Sequence, residues 1–207
     1  MIEMITGLDR TRRARLFEQM FADRKRVFID WLGWDLPHRD GLEIDDYDDD
    51  EAIYLIVADK EGAHLGSVRL LKTERGHILS DLFPTLCEGP VPVGPRIREI
   101  TRMCVSPSCP AEERLRVRQM LATALVRFAH ATGLEAYTAV TGVDFMTRVA
   151  AVGWRCRPLG LPIDIAGSPT AALMIEIDDS TINEMRATGT LATAAAKPHL
   201  SVTEAAA

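Results

Sequence analysis

Two apolar segments joined by a short polar turn constrain the fold of this chain most strongly. AIYLIVA at residues 52–58 and HLGSVRLLK at residues 64–72 are rich in aliphatic and β-branched side chains, and DKEG lies between them. Two such runs separated by a short turn that contains glycine predict a β-hairpin. An antiparallel pair of strands is therefore expected in the first half of the chain.

After this hairpin, strand patterns alternate with helix patterns. RIREITRMCV at residues 96–105, EAYTAV at 135–140 and AALMIEI at 171–177 predict strands, and another strand can follow Gly153–Trp154. VDFMTRVAAV at residues 143–152 predicts a short helix between two of them.

Two longer helices are also expected. The first covers approximately residues 11–31, where apolar side chains recur near helical spacing. The second begins within SPSCPAEE at residues 106–113, with Ser108 or Cys109 as its cap, and ends at Gly133. Its apolar face is expected to contain Leu115, Met120, Leu121, Ala124, Leu125 and Phe128.

The order hairpin, strand, helix, strand, helix and strand predicts an α/β domain layered around a mixed sheet. The length of 207 residues suits one domain with a sizeable core, which we place at residues 1–183. From about residue 184 onward, the sequence loses apolar periodicity. Residues 184–207 are therefore expected to form a flexible C-terminal tail.

Charge and composition argue against several classes of protein. A net charge of −6 and a pI near 5.4 disfavour a nucleic-acid binder, which needs a basic surface. No apolar run has membrane-spanning length and the N-terminus lacks a signal-type apolar region, so we expect a soluble, cytoplasmic protein without membrane insertion. The four cysteines form no CxxC pair, which favours reduced thiols over a zinc site or disulfides.

An acidic segment precedes the hairpin, and six of the residues from Asp45 to Glu51 are acidic. A solvated turn is the usual interpretation of such a run. An EF-hand calcium loop is excluded, because Glu51 occupies the position that needs glycine and Val57 the position of the final glutamate. The remaining alternative is that one or two of these acids point inward toward an organic cation.

Charged residues also interrupt two strands that are otherwise apolar. Arg69 lies in SVRLL, and Arg98, Glu99, Thr101 and Arg102 lie in IREITRMCV. Alternation along a strand puts Glu99 and Thr101 on one face, and the two arginines on the other unless a bulge intervenes. Each strand can satisfy its own charges by ion pairing, but several such charges beside an acidic loop favour a polar cleft.

These segments occur in the order of a known family. RKRVFIDWLGWD, GLEIDDYDDDEAIYLI, GSVRLL and REITRMCV resemble the autoinducer synthases, the acyl-homoserine-lactone synthases of the LuxI type. That family has an arginine, a phenylalanine four residues later and a tryptophan, followed by E-x-D-x-x-D, G-x-x-R-L and E-x-[ST]-R elements. The matching positions are Arg24, Phe28, Trp34, Glu43, Asp45, Asp48, Arg69, Glu99, Thr101 and Arg102.

The resemblance implies a fold and a reaction. The fold is a three-layer α-β-α sandwich around a mixed sheet, similar to that of the N-acetyltransferases. The reaction joins S-adenosylmethionine (SAM) to an acyl thioester carried by acyl carrier protein or coenzyme A. It releases methylthioadenosine (MTA) and an acyl-homoserine lactone, a quorum-sensing signal. Neither a cofactor nor a metal is required.

The resemblance also implies a catalytic group. A free α-amine has a pKa of about 7.7–8.0, so a base must deprotonate it before it attacks the thioester. Glu99 is the candidate base, and neighbouring arginines are expected to keep it ionised. Asp45 and Asp48 are expected to position the cationic substrate, with one of them held by Arg69. The implied catalytic set is Glu99, Asp45, Asp48, Arg69, Thr101 and Arg102.

A second implied group binds SAM. Arg24 or Arg102 can pair with the substrate carboxylate in a bidentate geometry. Phe28 and Trp34 can cover the adenine or the sulfonium, although core packing is an alternative for Phe28. The implied SAM-binding set is Arg24, Phe28, Trp34, Asp45 and Arg102.

The acyl chain is expected to lie among apolar side chains. The candidate walls are Leu82, Phe83, Met103, Val140, Thr141, Val143 and Trp154. Makers of 3-oxo signals often carry a threonine on the strand that matches YTAVTG, and alignment leaves Ala139 and Thr141 as alternatives. Arg98 and Met103 depart from the family pattern beside the catalytic strand, which bears on acyl specificity.

Two other functions remain as alternatives. An N-acyltransferase with a different amine substrate usually has a glycine-rich pyrophosphate loop, but residues 104–121 contain no glycine. A non-catalytic module that binds SAM or an acyl carrier is disfavoured because Glu99, Arg69 and Arg102 are intact. RTRRAR at residues 10–15 and RLRVR at residues 114–118 are either docking sites for an acidic carrier or solvated helix faces.

Overall fold

The structure, a computed structural model, describes residues 1–192. These residues form two compact units. The first unit consists of residues 1–69 and 102–124 with Ala192, and the second of residues 70–101 and 125–191. Two strands and one helix contribute residues to both units. The assignment of one domain to residues 1–183 stays a prediction.

The first unit contains antiparallel strands and one long N-terminal helix. Its elements are β1 (Ile2–Thr6), α1 (Ala14–Arg24), β2 (His38–Arg39), β3 (Leu42–Glu43) and β4 (Ile53–Ala58), with parts of β5 (His64–Lys72), β6 (Ile97–Val105) and α3 (Arg114–Thr132). Strand β1 pairs antiparallel with β4 along its whole length. Strand β4 is also the neighbour of β5, as the hairpin pattern predicted. The turn of this hairpin is closed by Asp59, whose backbone N–H donates to the carbonyl of Ala63 at 3.0 Å.

The first helix does not keep one geometry over the predicted range. Helix α1 begins at Ala14, and the chain continues through Lys25–Trp31 as a π-helix. The wider hydrogen bonding is visible where Leu32 N–H donates to the carbonyl of Val27 at 3.0 Å. Segments of π-helix are rare and often occur at functional sites. This segment contains Phe28, one of the predicted SAM-binding residues.

The second unit contains the parallel part of the sheet. Its elements are α2 (Ile78–Asp81), β7 (Ala136–Gly142), α4 (Val143–Ala150), β8 (Arg155–Pro158), β9 (Ile163–Ile165), β10 (Ser168–Glu176) and α5 (Thr181–Ala187), with the remaining parts of β5, β6 and α3. Strand β7 is parallel to β6 and antiparallel to β10, which also pairs with β8 and β9. The predicted mixed sheet with flanking helices is therefore confirmed.

Helix α3 begins later than the sequence predicted. It starts at Arg114, not at Ser108 or Cys109, and residues 107–113 form turns. One of these turns is closed by Glu113 N–H, which donates to the carbonyl of Pro110 at 2.9 Å. The predicted end at Gly133 is confirmed, and this glycine has a φ of +69°, which favours a residue without a side chain.

The predicted apolar face of α3 contains one error. Leu115 is 63% exposed, whereas Val117, Met120, Leu121, Leu125 and Phe128 are buried and Ala124 is half-buried. Because the buried stripe starts at Val117 and continues at spacings of three and four residues, Leu115 falls outside it.

A helix crosses the expected start of the C-terminal tail. Helix α5 runs through residue 184 to Ala187, and Met185 is fully buried. Residues 193–207 lie outside the described residues, and the flexible tail expected over residues 184–207 stays a prediction. Within residues 1–192, no helix combines the length and the apolar character needed to cross a membrane.

Candidate active site

Six charged side chains of the first unit converge in one buried network. They comprise three guanidiniums, from α1, β5 and β6, and three carboxylates from the segment that precedes β4. We call this set the guanidinium–carboxylate network: Arg24, Arg69, Arg102, Glu43, Asp45 and Asp48. All six positions were singled out in the sequence by the E-x-D-x-x-D, G-x-x-R-L and E-x-[ST]-R elements and the first arginine of the pattern.

Arg24 is buried between two of the carboxylates. Its Nε donates to Glu43 at 2.5 Å, and its two terminal nitrogens donate to Asp48 at 2.8 Å each. Burial works against the charged form of Arg24, but Asp48 and Glu43 outweigh it, so the pKa of Arg24 lies above its ordinary value. Arg24 already binds two carboxylates and is only 1% exposed, which disfavours its predicted pairing with a substrate carboxylate.

Arg69 holds the other two acidic positions together. It donates to both oxygens of Asp45, at 2.5 and 2.9 Å, and lies 2.8 Å from Asp48. Burial of Asp48 opposes its ionisation, but Arg24 and Arg69 outweigh this effect and hold the pKa of Asp48 well below its ordinary value. Tyr54 donates a further hydrogen bond to Asp48 at 2.8 Å. The prediction that Arg69 fixes one of the two aspartates is consistent with this geometry, which fixes both.

Arg102 reaches the network through an irregular backbone. It has a φ of +52°, a left-handed conformation that non-glycine residues rarely adopt and that costs about 1–3 kcal/mol. Its guanidinium donates to Glu43 at 3.1 Å and to Asp45 at 2.8 Å. Regular alternation along β6 is therefore broken at Arg102, which is the irregularity that the sequence left open.

The acidic segment before β4 points some of its side chains inward and others into solvent. Glu43, Asp45 and Asp48 point inward, whereas Asp46 and Asp50 are exposed as in a solvated turn. Each inward carboxylate accepts charge-assisted hydrogen bonds from arginine, so three negative charges face three positive ones. The inward acids are thus paired with arginines within the protein.

An aromatic pair borders this network. The rings of Phe28 and Trp34 are stacked, with centroids 5.0 Å apart and planes 11° from parallel. The Arg102 guanidinium lies 5.8 Å from the centre of the Phe28 ring. Phe28 is buried, but Trp34 is 46% exposed, so the tryptophan has surface left for a flat or cationic ligand.

Glu99 belongs to the second unit, where it is fully buried on β6. Its Oε1 accepts the backbone N–H of Leu79, in helix α2, at 2.9 Å. The arginine that precedes it, Arg98, pairs with Glu74 at 3.1 Å, and Arg102 pairs with carboxylates of the first unit. Thr101, the other polar residue predicted on this face, is also buried.

The predicted acyl walls fall into three groups. Phe83 and Val140 pack against an apolar cluster of the second unit formed by Leu79, Leu86 and Ala172. Leu82 is 57% exposed and does not contribute to that cluster. Trp154 is buried, and the half-buried positions are Met103, Thr141 and Val143.

A threonine that the sequence analysis did not select lies beside Glu99. In the parallel pairing of β6 and β7, Glu99 is opposite Thr138, and Ala139 is opposite Ile100. The neighbouring hydroxyl of Tyr137 donates to the carbonyl of Leu125 in α3 at 2.8 Å, so Thr138 faces away from α3. Thr138 is fully buried, and its hydroxyl has no hydrogen-bond partner among residues 1–192. On position, Thr138 is a better candidate for an acyl contact than either Ala139 or Thr141.

Sequence reasoning missed three further contributors to these sites. Tyr54 and Arg10 both bond to Asp48, the first to its carboxylate and the second to its carbonyl. Leu79 supplies the amide that binds Glu99. A tyrosine inside the apolar run AIYLIVA was the available signal for the first. No pattern in the sequence marks a backbone amide or the long reach of an arginine.

Known proteins match this chain both in sequence and in structure. The family model described as autoinducer synthase matches residues 8–185. The acyl-homoserine-lactone synthase of Ralstonia nicotianae (strain ATCC BAA-1114 / GMI1000) is 36% identical over 165 residues, which cover 76% of this chain and 80% of that protein. The solved structure of BjaI, a CoA-dependent acyl-homoserine-lactone synthase, is 26% identical with a TM-score of 0.82, over 93% of this chain and 90% of that one.

A more distant likeness concerns the fold alone. A protein from Lactobacillus plantarum assigned as an N-acetyltransferase is 16% identical, with a TM-score of 0.57 over 86% of this chain and 99% of that one. The expected similarity to the N-acetyltransferase fold is therefore confirmed. The match to the family model spans most of the chain and includes every residue of the guanidinium–carboxylate network. The chain belongs to the autoinducer synthase family.

Proposed function

We propose that this protein is an acyl-homoserine-lactone synthase that makes a quorum-sensing signal from SAM and an acyl thioester. The observation that carries this proposal is the buried guanidinium–carboxylate network, built from the same positions that define the family pattern. Such a network is expensive to bury, so its presence in a small domain favours a functional role over simple core packing.

The substrate classes come from the relatives. BjaI has been solved with SAM and isopentyl-CoA, and also with MTA. SAM supplies both the amine and the leaving group, so it is a substrate and not a cofactor. The chain therefore needs an acyl donor as its second substrate, carried either by coenzyme A or by acyl carrier protein.

The reaction has two bond-forming steps. The SAM α-amine, after loss of a proton, attacks the thioester carbonyl, and the tetrahedral intermediate collapses to an amide as the thiolate departs. A second proton leaves the nitrogen, and the thiolate takes up one proton. The SAM carboxylate oxygen then attacks the γ-carbon, and the C–S bond breaks to give neutral MTA and the lactone.

Glu99 is proposed to take the proton from the α-ammonium, directly or through one water. Its Oε1 is fixed by the Leu79 amide, which orients the carboxylate without protonating it. Glu99 is proposed to be oriented for this role by this hydrogen bond.

The network is proposed to recognise the amino-acid end of SAM. Arg102 is the better candidate for the SAM carboxylate, because its side chain retains 9% exposure whereas Arg24 retains 1%. Asp45 would then lose part of its contact with Arg102 and could bind the α-ammonium of SAM. Trp34, with its exposed face, is proposed to cover the adenine or the sulfonium.

The acyl group is proposed to lie against the apolar cluster that includes Phe83 and Val140. Thr138 is proposed as the residue that distinguishes 3-oxo from unsubstituted donors, because its buried hydroxyl can donate to an oxygen of the acyl chain. The four free cysteines, all within the described residues, are in keeping with a cytoplasmic location.

The proposal is tested by incubating the protein with SAM and acyl thioesters on both carriers. We expect release of MTA and a lipophilic product whose mass spectrum contains the homoserine-lactone fragment. Glu99→Gln should lose most of this activity, and Glu74→Gln, which removes an exposed carboxylate from the same unit, should retain it. Absence of MTA with short, long, branched and aryl donors on both carriers would contradict the proposed function.

A further inference from the structure

Helix α2, a single turn of four residues, supplies the amide that holds Glu99. Leu79 is the second residue of α2, and amides at the start of a helix have no intrahelical acceptor. Glu99 Oε1 accepts this amide at 2.9 Å, and the Leu79 side chain is fully buried in the apolar cluster with Leu86. The orientation of Glu99 therefore depends on where the α2 turn places one backbone N–H.

His77 fixes this turn through its imidazole. His77 caps α2 with an extended backbone, and its Nδ1 lies 2.9 Å from the carbonyl of Arg75. A carbonyl oxygen can only accept, so Nδ1 carries the proton and the tautomer of the ring is set. The ring is fully buried, so the contact is not shared with solvent.

Ser80 fixes the same turn, and its Oγ lies 3.1 Å from the same His77 Nδ1. Its hydroxyl oxygen accepts the backbone N–H of His77 at 3.1 Å and lies 2.7 Å from a carboxylate oxygen of Asp81, to which it donates. The backbone N–H of Asp81 in turn donates to the carbonyl of His77 at 2.9 Å. Together these contacts clamp both ends of the four-residue turn that contains Leu79.

We infer that His77 and Ser80 are positioning residues for Glu99 and act through the Leu79 amide. Neither side chain is assigned a contact with the substrates. Loss of the clamp lets the Leu79 N–H move, and Glu99 then loses its fixed orientation toward the SAM amine. A displacement of about 1 Å in a reacting group can reduce the rate about a hundredfold. This inference rests on the proposed function.

The first test uses kcat and KM measured separately from MTA release. His77→Leu is expected to lower kcat by about tenfold to a hundredfold with little change in KM for SAM, because binding does not require the clamp. His77→Asn retains a side-chain N–H and should recover most of kcat. Ser80→Ala and Ser80→Thr form a second pair, with the same loss and recovery, in case His77→Leu does not fold.

Ser180→Ala is the matched control. Ser180 is the N-cap residue of another short helix of this unit, α5, and its hydroxyl lies within hydrogen-bond distance of Asp178 and Glu184. Its replacement should lower the melting temperature about as much as Ser80→Ala but leave kcat unchanged. Equal losses of kcat in both variants would mean that general destabilisation is responsible, and the inference would be overturned.

A double-mutant cycle tests the route through Glu99. In the Glu99→Gln background, His77→Leu should have no further effect on kcat, because the group that it positions has been replaced. Additive losses would show that His77 acts on something other than Glu99. This readout does not respond to a role in stability alone.

A measurement on the amide itself separates this inference from the proposed function. Hydrogen exchange of the Leu79 amide should be slow in the native protein and accelerate at least tenfold in His77→Leu and Ser80→Ala, but not in Ser180→Ala. If the native protein released no MTA but this pattern held, the proposed function would fail and the clamp would stand. Unchanged exchange in His77→Leu and Ser80→Ala would overturn the clamp even if the protein were an active synthase.

Discussion

At the scale of single residues, the guanidinium–carboxylate network shows why arginine is required. Arg24 donates three hydrogen bonds to two carboxylates, and Arg69 donates to both oxygens of Asp45. A lysine ammonium is a point charge and cannot reproduce these forked contacts. The sequence identified the charged positions but not their partners, because pairing depends on three segments that are distant in the chain.

Arg24→Met tests how strongly the network is coupled to stability. The substitution keeps much of the buried volume but leaves Glu43 and Asp48 short of a partner in a buried setting. Breaking a buried ion pair in this way costs about 3–5 kcal/mol. We expect that loss in the free energy of unfolding, measured by urea denaturation at neutral pH.

The control for this prediction is an exposed ion pair. Arg12 is paired with Asp9 at 2.6 Å, but its side chain is 66% exposed. Arg12→Met should change the free energy of unfolding by less than about 1 kcal/mol, because water screens the pair. Similar losses for the two variants would contradict the view that burial gives the network its energetic weight.

Trp34→Ala tests the proposed ligand face of the aromatic pair. The substitution removes the half-exposed ring stacked on Phe28 and should raise KM for SAM by about fivefold to thirtyfold, as expected for loss of about 1–2 kcal/mol of cation–π contact. The measurement is MTA release at varied SAM. Trp31→Ala removes an equally large ring that is 60% exposed on the same segment and should leave KM unchanged.

At the scale of elements, the sequence predicted strands better than helix ends. The ranges of β5 and β6 follow from apolar runs bounded by turn residues, and both agree with the structure to within a residue. The start of α3 was wrong because proline and serine signals that typically begin a helix instead form a series of turns. The π-helix at Lys25–Trp31 and the left-handed Arg102 have no local signature in the sequence.

A pair of substitutions in α3 tests the corrected phase of this helix. Val117 is 2% exposed and packs so closely on β5 that a side chain at Gly66 would meet it. Val117→Lys should therefore destabilise the protein by more than about 2 kcal/mol, because it buries an unpaired charge. Leu115→Lys should stay within about 0.5 kcal/mol. Thermal unfolding measures both, and the reverse ranking would restore the phase predicted from sequence.

At the scale of the whole molecule, the resemblance to a family supplied what periodicity could not. Apolar patterns gave an α/β layered fold, but they did not predict that charges from α1, β5 and β6 meet in one unit. The family motifs contain all six of the residues that meet there. The Leu79 amide that bonds to Glu99 escaped both approaches because it belongs to the main chain, and amides are present at nearly every position of any sequence.

Acid unfolding provides a test of the network at this scale. The pKa of Asp48 is lowered in the folded protein by Arg24 and Arg69 against the effect of burial, so its ionisation stabilises the fold at any pH above its unfolded pKa of about 3.9. This stabilisation is lost as the pH falls below about 4 toward the lower folded pKa.

Asp48→Asn should therefore be much less stable than the native protein at pH 7, and the difference in the free energy of unfolding between the two proteins should narrow as the pH falls toward 3. Asp50→Asn, which changes an exposed acid of the same segment, should give a curve parallel to that of the native protein. A gap for Asp48→Asn that stayed constant from pH 7 to pH 3 would mean that packing, and not the charge of Asp48, holds Arg24 and Arg69 in place.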